Sequence, residues 1–136
     1  MTDGKSRIII QKWCEKPVSW IYSKLTNHVQ VSKWFGKVIK QPYGFDIELT
    51  FSLATIQLTF RIVEKIPNKS VSYRVKTQYI KQHSLVTFEI IQGTQNMVRL
   101  VEIANYDESR WTKAKSIHTD IYSEAMNRLI SLSLNE

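Results

Sequence analysis

Two titratable residues of the 136-residue chain stand in apolar company. Glu102 shares strand parity with Val98, Leu100 and Ala104, while Arg99 falls in the alternate set with Met97, Val101 and Ile103. Successive side chains of a strand point to opposite faces, so only one set meets a covering layer. With the Glu102 set inward, a carboxylate enters an apolar interior, where desolvation is expected to raise its pKa. The plainer alternative is an edge or mouth position reached by solvent, because glutamate is seldom buried unpaired. His118 precedes Ile121 and Tyr122 by one helical turn on an apolar stripe, aimed at the same interior. A glutamate and a histidine meeting there can bind a polar ligand group or move a proton. The commoner fate of such a histidine is a satisfied core or rim position.

Other chemistry finds less to stand on. His28, His83 and His118 are far apart, Cys14 is alone, and neither a His-x-x-x-His nor a Cys-x-x-Cys spacing occurs, so no metal site is expected. Serines and threonines abound without a nucleophile-elbow motif. Four scattered glycines form no phosphate loop, and no cofactor is expected. Charge is uneven: Met1 to Gly44 holds eight Lys or Arg against two acidic residues, in a chain of net charge +7. That block suits a docking face for an acidic protein, although a solvated lysine face is the commoner reading. With one arginine among its cations and no interleaved stacking platform, it does not read as a nucleic-acid surface.

The elements that must position these residues follow from periodicity. Ser6 to Lys12 is a β-branched run suited to a strand. A helix follows from about Lys16, with Pro17 in its first turn and Val18, Ile21, Tyr22 and Leu25 at helical spacing. A second short helix through Val29, Val31, Trp34 and Phe35 stops at Gly36. Phe45, Ile47, Leu49, Phe51 and Leu53 alternate with polar residues, and the alternation resumes on even numbers at Ile56, Leu58, Phe60 and Ile62. A two-residue turn at Ala54-Thr55 accounts for the parity change, pairing Phe51 with Leu58, Leu49 with Phe60 and Glu48 with Arg61. Ile66 to Lys69 reads as a turn, Val71 to Val75 as a strand, and Leu85 to Ile91 with Met97 to Tyr106 as a hairpin around Gly93. From Asp107 to Leu134 helix formers run without Gly or Pro, with Trp111, Ala114, His118, Ile121, Tyr122, Ala125, Leu129 and Leu132 on one stripe.

This order predicts an α+β fold in one domain, residues 1–136: a curved antiparallel sheet whose apolar face is crossed by the long terminal helix. A hydrophobic content of 43% with 23% charged residues excludes a disordered chain. No apolar run approaches the ~20 residues of a membrane span or forms the core of a cleavable signal, and a lone cysteine excludes an internal disulfide. A cytoplasmic protein is expected.

The residues also resemble a known family. Pro17-Val18 with Trp20, Leu25-Thr26-Asn27, Val31 and Trp34-Phe35 are similar to the opening helices of the helix-grip superfamily. That superfamily includes START lipid-binding domains, polyketide cyclases and the major birch pollen allergen. Val63 to Lys69 with Tyr73, and Phe88-Glu89-Ile90 with Gly93-Thr94, Val98 and Leu100, resemble its proline-turn segment and late hairpin. The nearest subgroup looks like bacterial relatives of the C-terminal domain of the heat-shock-protein ATPase activator. The resemblance implies a cavity between helix and sheet that binds an apolar small molecule, with Trp34 and Phe35 near its mouth. Candidate lining residues are then Trp34, Phe35, Phe51, Phe60, Tyr73, Phe88, Glu102, Trp111, His118 and Tyr122. The alternatives are an interaction module of chaperone-accessory type using the basic N-terminal face, and a cyclase- or hydrolase-type enzyme using Glu102 and His118 as catalytic groups.

Overall fold

The structure is a computed structural model and describes residues 6–51, 53–106 and 113–136. Strand β1 (Ser6–Cys14) leads into helices α1 (Val18–Thr26) and α2 (His28–Val31). Strands β2 (Lys37–Gln41), β3 (Gly44–Phe51), β4 (Ala54–Ile66), β5 (Ser70–Lys76), β6 (Ser84–Ile91) and β7 (Asn96–Ala104) follow, and helix α3 (Ala114–Asn135) closes the chain. All seven strands form one antiparallel sheet in the order β1-β7-β6-β5-β4-β3-β2. Its inner face carries Ile47, Ile56, Leu58, Phe60, Val71, Tyr73, Val75, Val86, Phe88, Val98 and Leu100, all buried. Onto these α3 lays Ile121, Tyr122, Ala125 and Leu129, members of the stripe expected from its spacing, together with Met126, which was not expected there. Trp111, expected on that stripe, lies outside the described residues. No helix among the described residues is long and apolar enough to cross a membrane.

One local expectation is corrected. The β3–β4 connection falls earlier than Ala54-Thr55: Phe51 pairs with Ala54, Leu49 with Ile56 and Glu48 with Gln57, while Leu53 is fully exposed at φ 66°. Arg61 therefore sits opposite Gly44 and reaches Asp46 at 3.2 Å rather than Glu48. The turn moves by two residues and the pairing slips by four, an even number that keeps every side chain on its face, so parity alone leaves the register open. Strand β2 lies at the sheet edge, half-buries Val38 against the core and leaves Ile39 exposed, so it offers little period to read.

Asn27 divides the two opening helices, because its Oδ1 accepts the N–H groups of Val29 and Gln30 and caps α2. Helix α2 is shorter than expected and continues to Phe35 as hydrogen-bonded turns. Gly44 starts β3 against the β4 backbone so closely that a Cβ there would stand 1.9 Å from the Phe60 carbonyl oxygen. Gly44→Ala is expected to destabilise the fold by about 1–3 kcal/mol through forced strand displacement. A urea midpoint equal to wild type would contradict this.

Candidate functional site

Glu102 lies on β7 between Ile8 of β1 and Val86 of β6 in register, and its relative exposure is 0%. Its set is therefore the inward one. Apolar neighbours on both sides make the carboxylate depend on side-chain donors, and four converge on it. Ser84 at the start of β6 donates to Oε2 at 3.0 Å, and Tyr122 of α3 donates to the same oxygen at 2.9 Å. Tyr106, just beyond β7, donates its hydroxyl to Oε1. His118 Nδ1 lies 3.1 Å from both carboxylate oxygens and 3.0 Å from the Tyr106 hydroxyl.

The far side of His118 is equally engaged. Its Nε2 lies 2.9 Å from Thr77 Oγ1, which also accepts the Tyr79 N–H at 3.2 Å. An ionised Glu102 can only accept, so the hydrogen of a neutral ring sits on Nδ1 and points at it, and Nε2 then accepts the Thr77 hydroxyl proton. Tyr79, Tyr106 and Tyr122 surround the ring edge-to-face at centroid distances of 6.2, 5.5 and 5.9 Å. Thr77, His118 and Glu102 are connected as a nucleophile, base and orienting carboxylate would be. Yet Thr77 is only 3% exposed, so the chain serves first to satisfy buried polar groups.

The electrostatics overturn one expectation. Burial does push the Glu102 carboxyl up, but the hydrogen bond and charge of His118, with the Tyr106 and Tyr122 hydroxyls, outweigh it, and its pKa lies below the ordinary value of 4.5. Burial first, and then the Glu102 charge, hold both tyrosines far above the usual phenol range, so they remain donors. A carboxyl whose folded pKa is depressed stabilises fully above its unfolded pKa and loses that contribution as pH falls through the folded value. Stability is therefore expected to be maintained down to about pH 4.5 and to drop below it, less steeply in Glu102→Gln. Parallel urea-midpoint profiles for the two proteins would contradict the assignment.

The expected lining residues divide into groups. Trp34, Phe35, Phe60, Tyr73, Phe88 and Tyr122 form one connected set of rings, with centroid separations from 5.1 to 6.4 Å. Trp34 and Phe35 are 3% and 2% exposed, and Trp34 Nε1 donates to the Lys24 carbonyl at 2.8 Å, so both stand within the core rather than at a mouth. Phe51 is half-buried at the end of β3 and packs against the same core. Tyr122 joins the rings, through Phe35, to the Glu102 cluster. Thr77, Ser84 and Tyr106 belong to the cluster although periodicity did not single them out. Pockets of about 360, 390 and 370 Å³ lie beside Gly93, beside Tyr43 and on the outer sheet face at Leu85, the last with Ser84 in its wall.

The basic N-terminal block is partly spoken for. Glu136 accepts from Trp20 at 3.1 Å, pairs with Lys24 at 2.9 Å and Lys33 at 3.8 Å, and its backbone carbonyl accepts from Lys16. Lys24 is itself buried and lies 5.0 Å above the Trp20 ring. These contacts fasten the end of α3 to α1.

No protein-family model and no curated protein matches the sequence. Solved structures do match. DynU16, from the dynemicin biosynthetic locus, superposes with a TM-score of 0.72 at 12% identity over 96% of this chain, which spans about half (47%) of DynU16. CalU16 from Micromonospora echinospora superposes with a TM-score of 0.71 at 14% identity, over 93% of this chain and 73% of that one. The Aha1 dimer from Colwellia psychrerythraea gives 0.67 at 18% identity, over 92% and 93%. Likeness at such identity speaks for architecture alone, and what it establishes is that this chain has the helix-grip fold its sequence resembles.

Proposed function

We propose that the chain acts as one domain that binds a small molecule of largely apolar body between α3 and the sheet. Glu102 receives a hydroxyl or amine of that molecule in place of the Tyr106 hydroxyl. The observation that carries this reading is a carboxylate of 0% exposure holding donors from four side chains inside an apolar core. Apolar side chains of similar volume are often neutral or stabilising by ~1–4 kcal/mol where they replace a buried ion pair, so packing alone does not call for this cluster. Tyr106 is its half-buried member and the one that can withdraw toward solvent. The ring set leaves little room while Tyr106 stays, so the ligand enters as it moves aside. Sharing a fold with a protein of a biosynthetic locus supports a small-molecule role.

Docking of an acidic protein on the N-terminal face has less support, because Lys16, Lys24 and Lys33 are already gathered on Glu136. Turnover has less support than binding, because His118 Nε2 is held by a buried threonine.

Solvent extraction of natively purified protein, followed by mass spectrometry, tests the proposal. Wild type and Tyr106→Phe are expected to yield an apolar compound carrying a donor group, and Glu102→Gln at least about tenfold less, the loss of one charge-assisted hydrogen bond. An extract no different from that of an unrelated protein prepared alike would overturn it.

A further inference from the structure

The outer face of the sheet, opposite α3, holds a pocket of about 370 Å³ whose wall includes Ser84 of the buried cluster but not Glu102, Tyr106, His118 or Tyr122. Its walls include Val63, Leu85 and Ile103, and Arg74 and His83 stand at its rim. Val63 is 53% and Leu85 39% exposed, so two apolar side chains, on β4 and β6, face water from the lining of the same pocket. Val63 is the extra residue where β4 slips register against β5, between Ile62 and Glu64, and this bulge shapes the pocket's side.

The strand register sets the charge. One row across the sheet runs Ile103, Leu85, Arg74 and Arg61, so two guanidinium groups stand on directly opposite residues of β5 and β4. Like charges so placed destabilise a sheet unless something offsets them. Arg61 is offset by Asp46 at 3.2 Å. Arg74 is exposed and forms no ion pair among the described residues, and no carboxylate lines the pocket.

We propose that this outer-face pocket binds a small organic carboxylate, its carboxylate on Arg74 and its apolar body across Val63, Leu85 and Ile103. A guanidinium presents a planar fork that matches a carboxylate in two parallel hydrogen bonds. One uncommitted guanidinium balances one negative charge, which favours a carboxylate over a phosphate dianion, and His83 adds a ring nitrogen at the same rim. The apolar floor supplies the remainder of the affinity by removing exposed Leu85 and Val63 surface from water.

Titration of the ¹⁵N-labelled protein with octanoate, followed by backbone amide shifts, tests this, with acetate, octanol and octyl phosphate as comparison probes. Saturable shifts centred on Val63, Arg74, Leu85 and Ile103 are expected with octanoate. Binding at least about tenfold weaker is expected for acetate, octanol and octyl phosphate, and for octanoate with Arg74→Gln. Arg74 is exposed, so that variant is expected to fold as wild type. Absence of saturation, shifts centred on Tyr106 and His118, undiminished binding by Arg74→Gln, or octyl phosphate binding as tightly would each overturn the proposal. None of these results bears on whether Glu102 holds a ligand inside the fold.

Discussion

Glu102→Ala is expected to destabilise the protein by about 3–5 kcal/mol, the range for removing one partner of a buried ionic cluster. The reason lies in what remains. Ser84, Tyr122 and His118 each lose the acceptor they reach at 2.9–3.1 Å, and Ser84, Tyr122 and His118 have almost no exposure through which water could serve them. A buried donor left unsatisfied costs the desolvation of that group, about 1–3 kcal/mol each before relaxation. Glu102→Gln keeps the shape and one oxygen acceptor, so its cost is expected to be less than half as large. Combining Glu102→Ala with His118→Ala removes donor and acceptor together, and the double variant is expected to lose less than the sum of the singles by about 0.5–3 kcal/mol. Urea denaturation of the four proteins measures this cycle. Additive losses would mean that the 3.1 Å contact between Glu102 and His118 carries no coupling.

Tyr73→Ala is expected to cost as much, about 3–5 kcal/mol, by a different route. Tyr73 is fully buried on β5 with its ring against Phe45, Phe60 and Phe88 at centroid distances of 5.4, 5.3 and 6.3 Å. Its hydroxyl crosses the core to donate to the Leu25 carbonyl of α1 at 2.9 Å, and burial lifts its pKa well above the phenol range. Truncation opens a cavity among rings too rigid to collapse into it and strands a buried carbonyl. Tyr73→Phe separates these effects, since it retains the ring and is expected to cost about 0.5–1.5 kcal/mol, the value of a single hydrogen bond. Equal losses for the two variants would assign the whole effect to the hydroxyl and contradict the packing argument.

How much of this was legible depended on whether a residue left a period behind. Glu102 and His118 did: the first sits on a two-residue alternation and the second on a helical stripe, and each period points inward. Thr77 and Ser84 did not, because a small hydroxyl at a strand end adds nothing to either period. Tyr106 shares Glu102's parity but lies beyond β7, where alternation has ended. The direction of the Glu102 pKa escapes the sequence for the same reason: burial is visible in a pattern of apolar neighbours, whereas the groups that outweigh it come from α3 and the segment after β7. The β3–β4 connection shows the other limit. Phe45, Ile47 and Leu49 reveal which face is inward but not which Ile or Leu of β4 they oppose, because registers two residues apart bury identical sets. The aromatic residues were recognisable as interior without revealing that Trp34, Phe35, Phe60, Tyr73 and Phe88 would pack on each other.

The claim at the centre of this account is that Glu102 meets a ligand. The ¹³C resonance of its side-chain carboxyl reports that directly, because it responds to every change among the donors on Oε1 and Oε2. When the compound extracted from the wild-type protein is added back to stripped protein, this resonance and those of the Tyr106 ring are predicted to move together and saturate at one equivalent. Saturable binding that leaves the Glu102 carboxyl resonance in place would contradict the account.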